Sequence, residues 1–212
     1  MRSRFSAQGS TVRYHSGMDR SSGYEAIAGD FLPRRGRTRS VGMGVPEVRN
    51  WARTLPRGSS VLDLGCGPGF PITSVLVDEG LAVFGVDASL SLVSAFQKNL
   101  PGTPILCEAV QESGLFDRTF EAVLAWGFIF LLNTEDQRRL IRRFSEILAS
   151  NGHLLFTSPT EPVIWNDAMT GMESVSLGAA EYRRLLKAVN ISIHRGYKDV
   201  GGNYYYDAVK NA

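Results

Sequence analysis

Short apolar runs alternate with amphipathic segments from residue 60 onward. Continuous apolar stretches such as LAVFGV and EAVLAW predict strands at about 60–64, 82–86, 104–107, 120–125 and 152–157. The amphipathic segments between them predict helices at about 70–79, 89–99 and 134–149. Strands that are apolar on both faces are typical of a parallel sheet covered by helices on each side. The pattern therefore predicts an α/β, doubly wound, mostly parallel sheet.

The helix at 134–149 carries the clearest signals. Thr134 is the predicted N-cap, with Gln137 three residues on, and Asn151-Gly152 is the predicted stop. Its apolar positions form one face, and the opposite face carries four arginines that we expect to be solvated: Arg138, Arg139, Arg142 and Arg143.

The end of the chain changes pattern. A helix after about residue 178 precedes two strand-like segments, ISIHRGYKDV and NYYYDAVK, which are separated by Gly201-Gly202. A two-glycine joint favours a hairpin, so we expect an antiparallel pair at one edge of the sheet.

The N-terminal part divides into an arm and a helical cap. Residues 1–20 are polar and aperiodic, which predicts a disordered arm or leader. Ser21 or Ser22 can cap a helix that Pro33 ends, and Pro46 opens a second helix. We therefore predict one domain over 21–212, with a helical cap at 21–57 and a core at 58–212.

Composition adds limits on location and partners. The chain has 212 residues and a net charge of +2, which is too near neutral to indicate nucleic-acid binding. Cys66 and Cys107 lack the spacing of a zinc or redox site and predict a reducing, cytoplasmic compartment. No apolar run approaches the roughly 18 residues of a membrane span, so no membrane partner is expected.

One stretch concentrates the candidate chemistry. In VLDLGCGPG, the end of a predicted buried strand is followed by Gly65, Gly67 and Gly69. A predicted helix comes after these glycines. Glycine lets a ligand lie against bare backbone, and we expect the helix N-terminus to add unpaired N–H groups. Asp87, at the end of the next strand, is positioned to accept hydrogen bonds from ribose hydroxyls.

The spacing of this loop argues against a dinucleotide. The loop is G-x-G-x-G rather than G-x-G-x-x-G, and Asp63 lies two residues before its first glycine. An acid there would repel a pyrophosphate and suits a cationic group. S-adenosylmethionine, which carries a sulfonium and an ammonium, fits this loop better than NAD, so an NAD-dependent dehydrogenase is disfavoured.

The same residues carry a family resemblance. Asp63–Gly69 resembles the first motif of the class I, Rossmann-like S-adenosylmethionine-dependent methyltransferases, and Gly85–Ser89 resembles their second motif. Cys107–Val110 is similar to their third motif, with Glu108 in place of the usual Asp. The segments at 120–127 and 151–156 resemble the fourth and fifth strand regions, so the resemblance covers nearly all of 21–210.

This resemblance implies a seven-stranded sheet with an antiparallel last strand, and S-adenosylmethionine as the cofactor. The cofactor-binding residues that it and the loop chemistry indicate are Tyr24, Asp63, Gly65, Cys66, Gly67, Gly69, Asp87, Ala88, Glu108, Ala109, Val110 and Trp126. Arg39 is a further candidate, for the cofactor carboxylate. The resemblance implies no metal, and the sequence assigns no catalytic residue.

The expected activity is direct, in-line transfer of a methyl group to a small-molecule acceptor. A small acceptor is expected because the chain leaves no room for a separate RNA-recognition domain. Two alternatives stay open: a methyltransferase acting on RNA or protein, and a non-catalytic S-adenosylmethionine-binding module. The expected state is a monomer or homodimer. The motifs specify the methyl donor and leave the acceptor open.

Overall fold

The computed structural model of the chain describes residues 23–35, 39 and 41–212. The predicted arm at 1–20 and the predicted caps Ser21 and Ser22 lie outside the described residues.

In the part of the chain that the structure describes, nine strands form one large sheet and one hairpin. The seven-stranded sheet has the order β3-β2-β1-β4-β5-β9-β8, and β6 and β7 pair with each other. The strands are β1 Ser60–Leu64, β2 Ala82–Asp87, β3 Ile105–Cys107, β4 Phe120–Ala125, β5 Leu148–Thr157, β6 Pro162–Asn166, β7 Glu173–Leu177, β8 Ile191–Lys198 and β9 Tyr204–Lys210. All five strands predicted in the alternating region are present, within a few residues.

Strands β1 to β5 are mutually parallel where they pair. Strand β9 is antiparallel to both of its neighbours, β5 and β8. The predicted doubly wound sheet with an antiparallel last strand is therefore confirmed. The predicted antiparallel pair of β8 and β9 is also present at one edge of the sheet, with β9 between β5 and β8 and with β8 outermost.

Seven helices surround the strands in the described part of the chain: α1 Gly23–Ala26, α2 Ala28–Arg35, α3 Val45–Ala52, α4 Ile72–Asp78, α5 Leu90–Asn99, α6 Thr134–Ile147 and α7 Ala179–Ala188. Two short helical turns occur at Leu115–Asp117 and Ile129–Leu131, and the first is left-handed, with φ of 50°, 64° and 49°. None of the described helices is long and apolar enough to cross a membrane.

The first predicted helix is wrong in two details. It is divided at Ile27, whose carbonyl accepts from the N–H groups of both Asp30 and Phe31. Pro33 lies inside α2 and does not end it. Pro46 opens α3 as predicted.

The boundaries of α6 also differ from the prediction. Asn133, not Thr134, is the N-cap, and its side-chain oxygen accepts from the N–H groups of Glu135 and Asp136. The helix ends at Ile147 and the chain passes directly into β5. Asn151, with φ of 60°, therefore lies within an irregular part of that strand and is not a helix stop.

One of the four α6 arginines is not simply solvated. The Arg143 guanidinium donates to the carbonyls of Val110 and Ser113, over 2.8 and 2.7 Å. It thereby holds the loop that follows β3.

Alternate strand residues supply two hydrophobic layers. Val61 belongs to the layer that packs against α3 and α4, together with Trp51 and Val75. The next residue, Leu62, belongs to the opposite layer, with Phe144 of α6 and Tyr182 of α7. Successive strand side chains point to opposite faces, so each strand anchors both layers.

The β6–β7 hairpin was not predicted. Its attachment is a buried polar group, Gln137 on α6, whose amide nitrogen donates to the Val175 carbonyl over 2.7 Å. The Tyr182 hydroxyl in turn donates to Gln137 Oε1 over 2.7 Å. The hairpin is therefore fixed to both α6 and α7.

Candidate functional site

The glycine loop after β1 leaves open space at its centre. A β-carbon at Gly65 would lie 2.3 Å from the Phe128 ring, and one at Gly69 would lie 2.7 Å from Leu100. A β-carbon at Gly67 would meet no protein atom within 4 Å, although φ there is +55°. Two of the glycines are thus required by packing, and Gly67 faces an open cavity.

The backbone N–H groups of this loop are already used within the protein. Those of Gly65 and Cys66 donate to the Val86 carbonyl, and that of Gly69 donates to the Cys66 carbonyl. That of Gly67 donates to Asp87 Oδ2 over 2.8 Å, and Pro68 has none. The loop at 65–69 therefore offers no unpaired backbone N–H group of its own, so any such groups would come from the N-terminus of the following helix, where the sequence predicts them. A phosphate-binding loop needs those donors free.

Two buried carboxylates flank the loop. Asp63 Oδ2 accepts from the Thr73 hydroxyl over 2.7 Å, and Asp87 Oδ1 accepts from the Ser89 N–H over 2.9 Å. Burial raises the pKa of Asp63 to about 7 and that of Asp87 to about 6, although these hydrogen bonds act in the opposite direction. The raised pKa values indicate a place where a positive charge would be stabilised.

A cavity lies at the carboxyl ends of β1, β2 and β4, as expected for a parallel sheet. We refer to it as the central cavity. Nine of the twelve predicted residues line it: Tyr24, Asp63, Gly65, Cys66, Gly67, Asp87, Ala88, Val110 and Trp126.

Three predicted residues lie outside its lining. Gly69 supports the loop, where its missing side chain makes room for Leu100. Glu108 is exposed, and its backbone N–H donates to the Asp87 carbonyl. The Ala109 carbonyl accepts from the N–H groups of Glu112 and Ser113.

The far end of the central cavity was missed by the sequence analysis. It is lined by residues from four separate segments, among them Met43, Phe130, Asp167, Met169 and Asn203. Only Phe130 carried a local signal, because it follows Trp126 in an aromatic run. The others come together only through the tertiary fold.

Trp126 is held in the cavity wall by a hydrogen-bonded chain. Its Nε1 donates to the Tyr205 hydroxyl over 2.8 Å, and that hydroxyl donates to Asp199 Oδ2 over 3.1 Å. Asp199 also accepts from the backbone N–H and the side-chain amide of Asn203. The Asp199 carboxylate thus fixes both Trp126 and Asn203 in the cavity wall.

The N-terminal cap is attached to the opposite end of the cavity through Glu25. Its carboxylate accepts from the hydroxyls of Ser89 and Ser91 and from the Ser91 N–H. The hydrogen bond from Ser89, followed by that from the Ser91 N–H, lowers the pKa of Glu25. This attachment places the adjacent Tyr24 against the cavity.

Other candidates have different surroundings. Arg39 forms an ion pair with Asp78 on α4. His194 lies 3.5 Å from Asp207, on the β8–β9 pair. Among the residues that the structure describes, no group of three or more His, Cys, Asp or Glu side chains is arranged to hold a metal ion.

Comparison with known proteins identifies the family. The family described as "Methyltransferase domain" matches residues 41–195, which is well over half of the chain. The chain therefore belongs to this family of methyltransferases. The predicted class, an S-adenosylmethionine-dependent methyltransferase of Rossmann-like fold, is confirmed. No curated protein sequence matches the chain significantly.

Solved structures share the fold at low identity. Magnesium protoporphyrin IX methyltransferase from Synechocystis PCC 6803, with bound SAM, is 16% identical over 93% of this chain and 100% of its own, with a TM-score of 0.68. The 1,6-didemethyltoxoflavin-N1-methyltransferase of Burkholderia thailandensis, with bound S-adenosylhomocysteine, is also 16% identical to this chain. The match covers 96% of this chain and 94% of the other, with a TM-score of 0.70.

The [4+2]-cyclase SpnF is similar to the same degree. It is 14% identical over 89% of this chain and 94% of its own, with a TM-score of 0.69. At such identities these likenesses show the fold alone.

Proposed function

We propose that this protein transfers a methyl group from S-adenosylmethionine to a small-molecule acceptor by direct in-line displacement. The observation that carries the proposal is the glycine loop. Its amides are engaged internally, and two buried acids, Asp63 and Asp87, flank it. Such a site suits a nucleoside with positive groups and no phosphates.

In this proposal, different residues of the central cavity bind different parts of the cofactor. Asp87 accepts from the ribose hydroxyls, using lone pairs that its bonds to Gly67 and Ser89 leave available. The bare Cα of Gly67 allows close approach of the donor, and Asp63 supplies negative charge near its cationic groups. Val110 and Ala88 offer apolar contacts to the base.

The sulfonium, when bound, supplies an activated methyl group with a good leaving group. The chain's own task is then to orient the acceptor and exclude water, which is a proximity effect. Tyr24 and Phe31 of the N-terminal cap cover one end of the central cavity, and Trp126 and Phe130 form the wall at the other.

A small acceptor is supported by the enclosure of the cavity. Its lining includes residues of the N-terminal cap, the segment after β6 and the turn before β9. Two proteins of similar fold have porphyrin and toxoflavin precursors in their names. The two free cysteines are in keeping with a reducing, cytoplasmic compartment.

The proposal is tested with methyl-labelled S-adenosylmethionine. The protein is incubated separately with a protein-free metabolite extract, total RNA and a protein extract, and the label is counted in each product. We expect label in the metabolite fraction only, and none with an Asp87→Ala variant. Label confined to RNA or protein would overturn the small-molecule assignment, and tight donor binding without product in any fraction would indicate a non-catalytic binding module.

A further inference from the structure

The charge of the central cavity points to the chemical class of the acceptor. Three carboxylates line the cavity: Asp63, Asp87 and Asp167. Among the described residues, no Lys, Arg or His is part of that lining. Arg39 of the cap, the sequence-based candidate for the cofactor carboxylate, is paired with Asp78.

S-adenosylmethionine does not neutralise this charge. It carries two positive groups and one carboxylate, so its net charge is +1 against three acids. Asp63 and Asp87 belong to the glycine-loop end, which leaves Asp167 for the rest of the cavity. A carboxylate or phosphate on the acceptor would therefore meet repulsion without a compensating cation.

Asp167 is held in a fixed position. Its Oδ1 accepts from the N–H groups of Met169 and Thr170, over 3.0 and 2.8 Å, and from the Thr170 hydroxyl over 3.0 Å. Its Oδ2 makes no hydrogen bond to any of the residues that the structure describes. One oxygen is thus used by the turn, and the other is available to a ligand that donates a hydrogen bond.

The end of the cavity to which Asp167 belongs is lined mainly by apolar and aromatic side chains, with Asn203 as a further polar residue. Met43, Trp126, Phe130 and Met169 line it, and Trp165 packs on Phe130 with ring centroids 5.4 Å apart. The lining residues Met43 and Met169 are themselves 48% and 37% exposed, and Val41 and Ile164, which are close to lining residues in the sequence, are 68% and 64% exposed. Exposed apolar surface beside a cavity is typical of a binding site for an apolar molecule.

We propose, on the basis of the methyl-transfer function above, that the acceptor carries a basic amine on an apolar, ring-sized body, and that Asp167 recognises this amine in its ammonium form. The aromatic wall receives the ring system, and the fixed carboxylate selects the amine. Carboxylate and phosphate acceptors are rejected by the same charge.

Three indoles that differ only in the end of the side chain test this directly: tryptamine, tryptophol and indole-3-propionate. Their binding to the protein saturated with S-adenosylhomocysteine is measured by ligand-observed NMR titration. We expect tryptamine to bind at least fivefold more tightly than tryptophol, and indole-3-propionate not to bind. Failure of S-adenosylhomocysteine itself to bind would refute the proposed function and is seen before any indole is added.

Asp167→Asn removes the charge and keeps an oxygen for the turn. It should abolish the preference for tryptamine and leave tryptophol affinity within twofold. Glu135→Gln, on the exposed side of α6, is the matched control and should preserve the wild-type order. Binding of the carboxylate probe as tight as that of the amine, no binding of the amine, or an unchanged preference in Asp167→Asn would each overturn the proposal.

Discussion

The backbone N–H of Gly67 donates a hydrogen bond to Asp87 Oδ2 over 2.8 Å. The acid at the end of β2 is therefore joined to the centre of the loop that follows β1. The two elements that would contact the methyl donor, the loop and the acid at the end of β2, are thus directly hydrogen-bonded to each other. A change in Asp87 is accordingly expected to affect both the ribose contact and the loop.

Asp87→Ala should weaken S-adenosylmethionine binding by more than about tenfold, because a charge-assisted hydrogen bond and the anchor of Gly67 are both lost. Isothermal titration calorimetry measures the change. Glu108→Ala is the control, since Glu108 is exposed and lies outside the central cavity. Equal affinity of Asp87→Ala and the wild type would show that the ribose assignment is wrong.

Gly67→Ala tests the open space at the loop. Its matched control is Gly102→Ala, because both glycines have positive φ, +55° and +85°, and neither β-carbon would meet a protein atom within 4 Å. Both variants should lose similar thermal stability from backbone strain, about 1 kcal/mol. Only Gly67→Ala should lose cofactor affinity, and Gly67→Val should abolish it. A Gly67→Val protein that folds and binds normally would exclude a cofactor role for the loop.

Cofactor affinity should rise with pH between 5.5 and 7.5. A positive ligand stabilises the charged forms of Asp63 and Asp87, whose pKa values in the ligand-free protein are about 7 and 6. At the lower pH both must release protons for binding, so affinity there should be about a hundredfold lower. Calorimetry in buffers of different ionisation enthalpy detects the released protons, and Asp63→Asn should flatten the profile.

The stability of the ligand-free protein should fall as the pH rises, whereas the cofactor affinity should increase. Burial raises both pKa values above their usual range, so the folded state binds more protons than the unfolded state between about pH 4 and pH 7. The contribution of these two acids to stability is therefore present below about pH 4 and is lost as the pH rises to 7. Thermal melts of wild type and Asp63→Asn, compared across this range, isolate that contribution.

Glu25→Gln tests the attachment of the N-terminal cap. The variant weakens the hydrogen bonds to Ser89 and Ser91 that hold α1 against the start of α5. We expect cofactor to dissociate several-fold faster, measured by stopped-flow displacement, with little change in the melting temperature. Asp30→Asn, an exposed acid on the neighbouring helix α2, is the control. Identical dissociation rates in both variants would argue against a covering role for the cap.

Tyr205→Phe removes the hydroxyl that links Trp126 to Asp199. Loss of this buried polar chain should cost about 1–3 kcal/mol, seen as a fall of several degrees in the melting temperature. Tyr197→Phe, on the ring stacked against Tyr205, is the control and should melt close to wild type. Cofactor affinity should be unchanged in both, because the link serves the far wall of the cavity.

The sheet and the loop could be predicted because their signals are local. Within ten residues, the apolar run before Asp63 predicts a strand, and the three glycines after it predict a turn. Together they also indicate the edge of the sheet at which a ligand binds. The cap of α6 shows the limit of such reasoning. Asn133 and Thr134 are adjacent and both can cap, so the choice between them depends on where the first helical turn is packed.

Other features depend on contacts between distant segments. The loop amides are engaged because the carbonyl of Val86 and the carboxylate of Asp87 come from the neighbouring strand. The β6–β7 hairpin gave no alternating pattern, since four of the five residues of β6 are exposed. Asp167 follows this hairpin's first strand, so its arrival in the cavity could not be read from the sequence.

The position of β9 has a consequence for folding. It fits between β5 and β8, although it follows β8 in the chain. Until β9 inserts, β8 has no neighbour in the sheet among the described strands, and Trp126 lacks the Tyr205 hydroxyl. The glycine loop is held by residues of β2 and does not depend on this step, whereas the Trp126 wall of the central cavity is complete only after β9 has inserted.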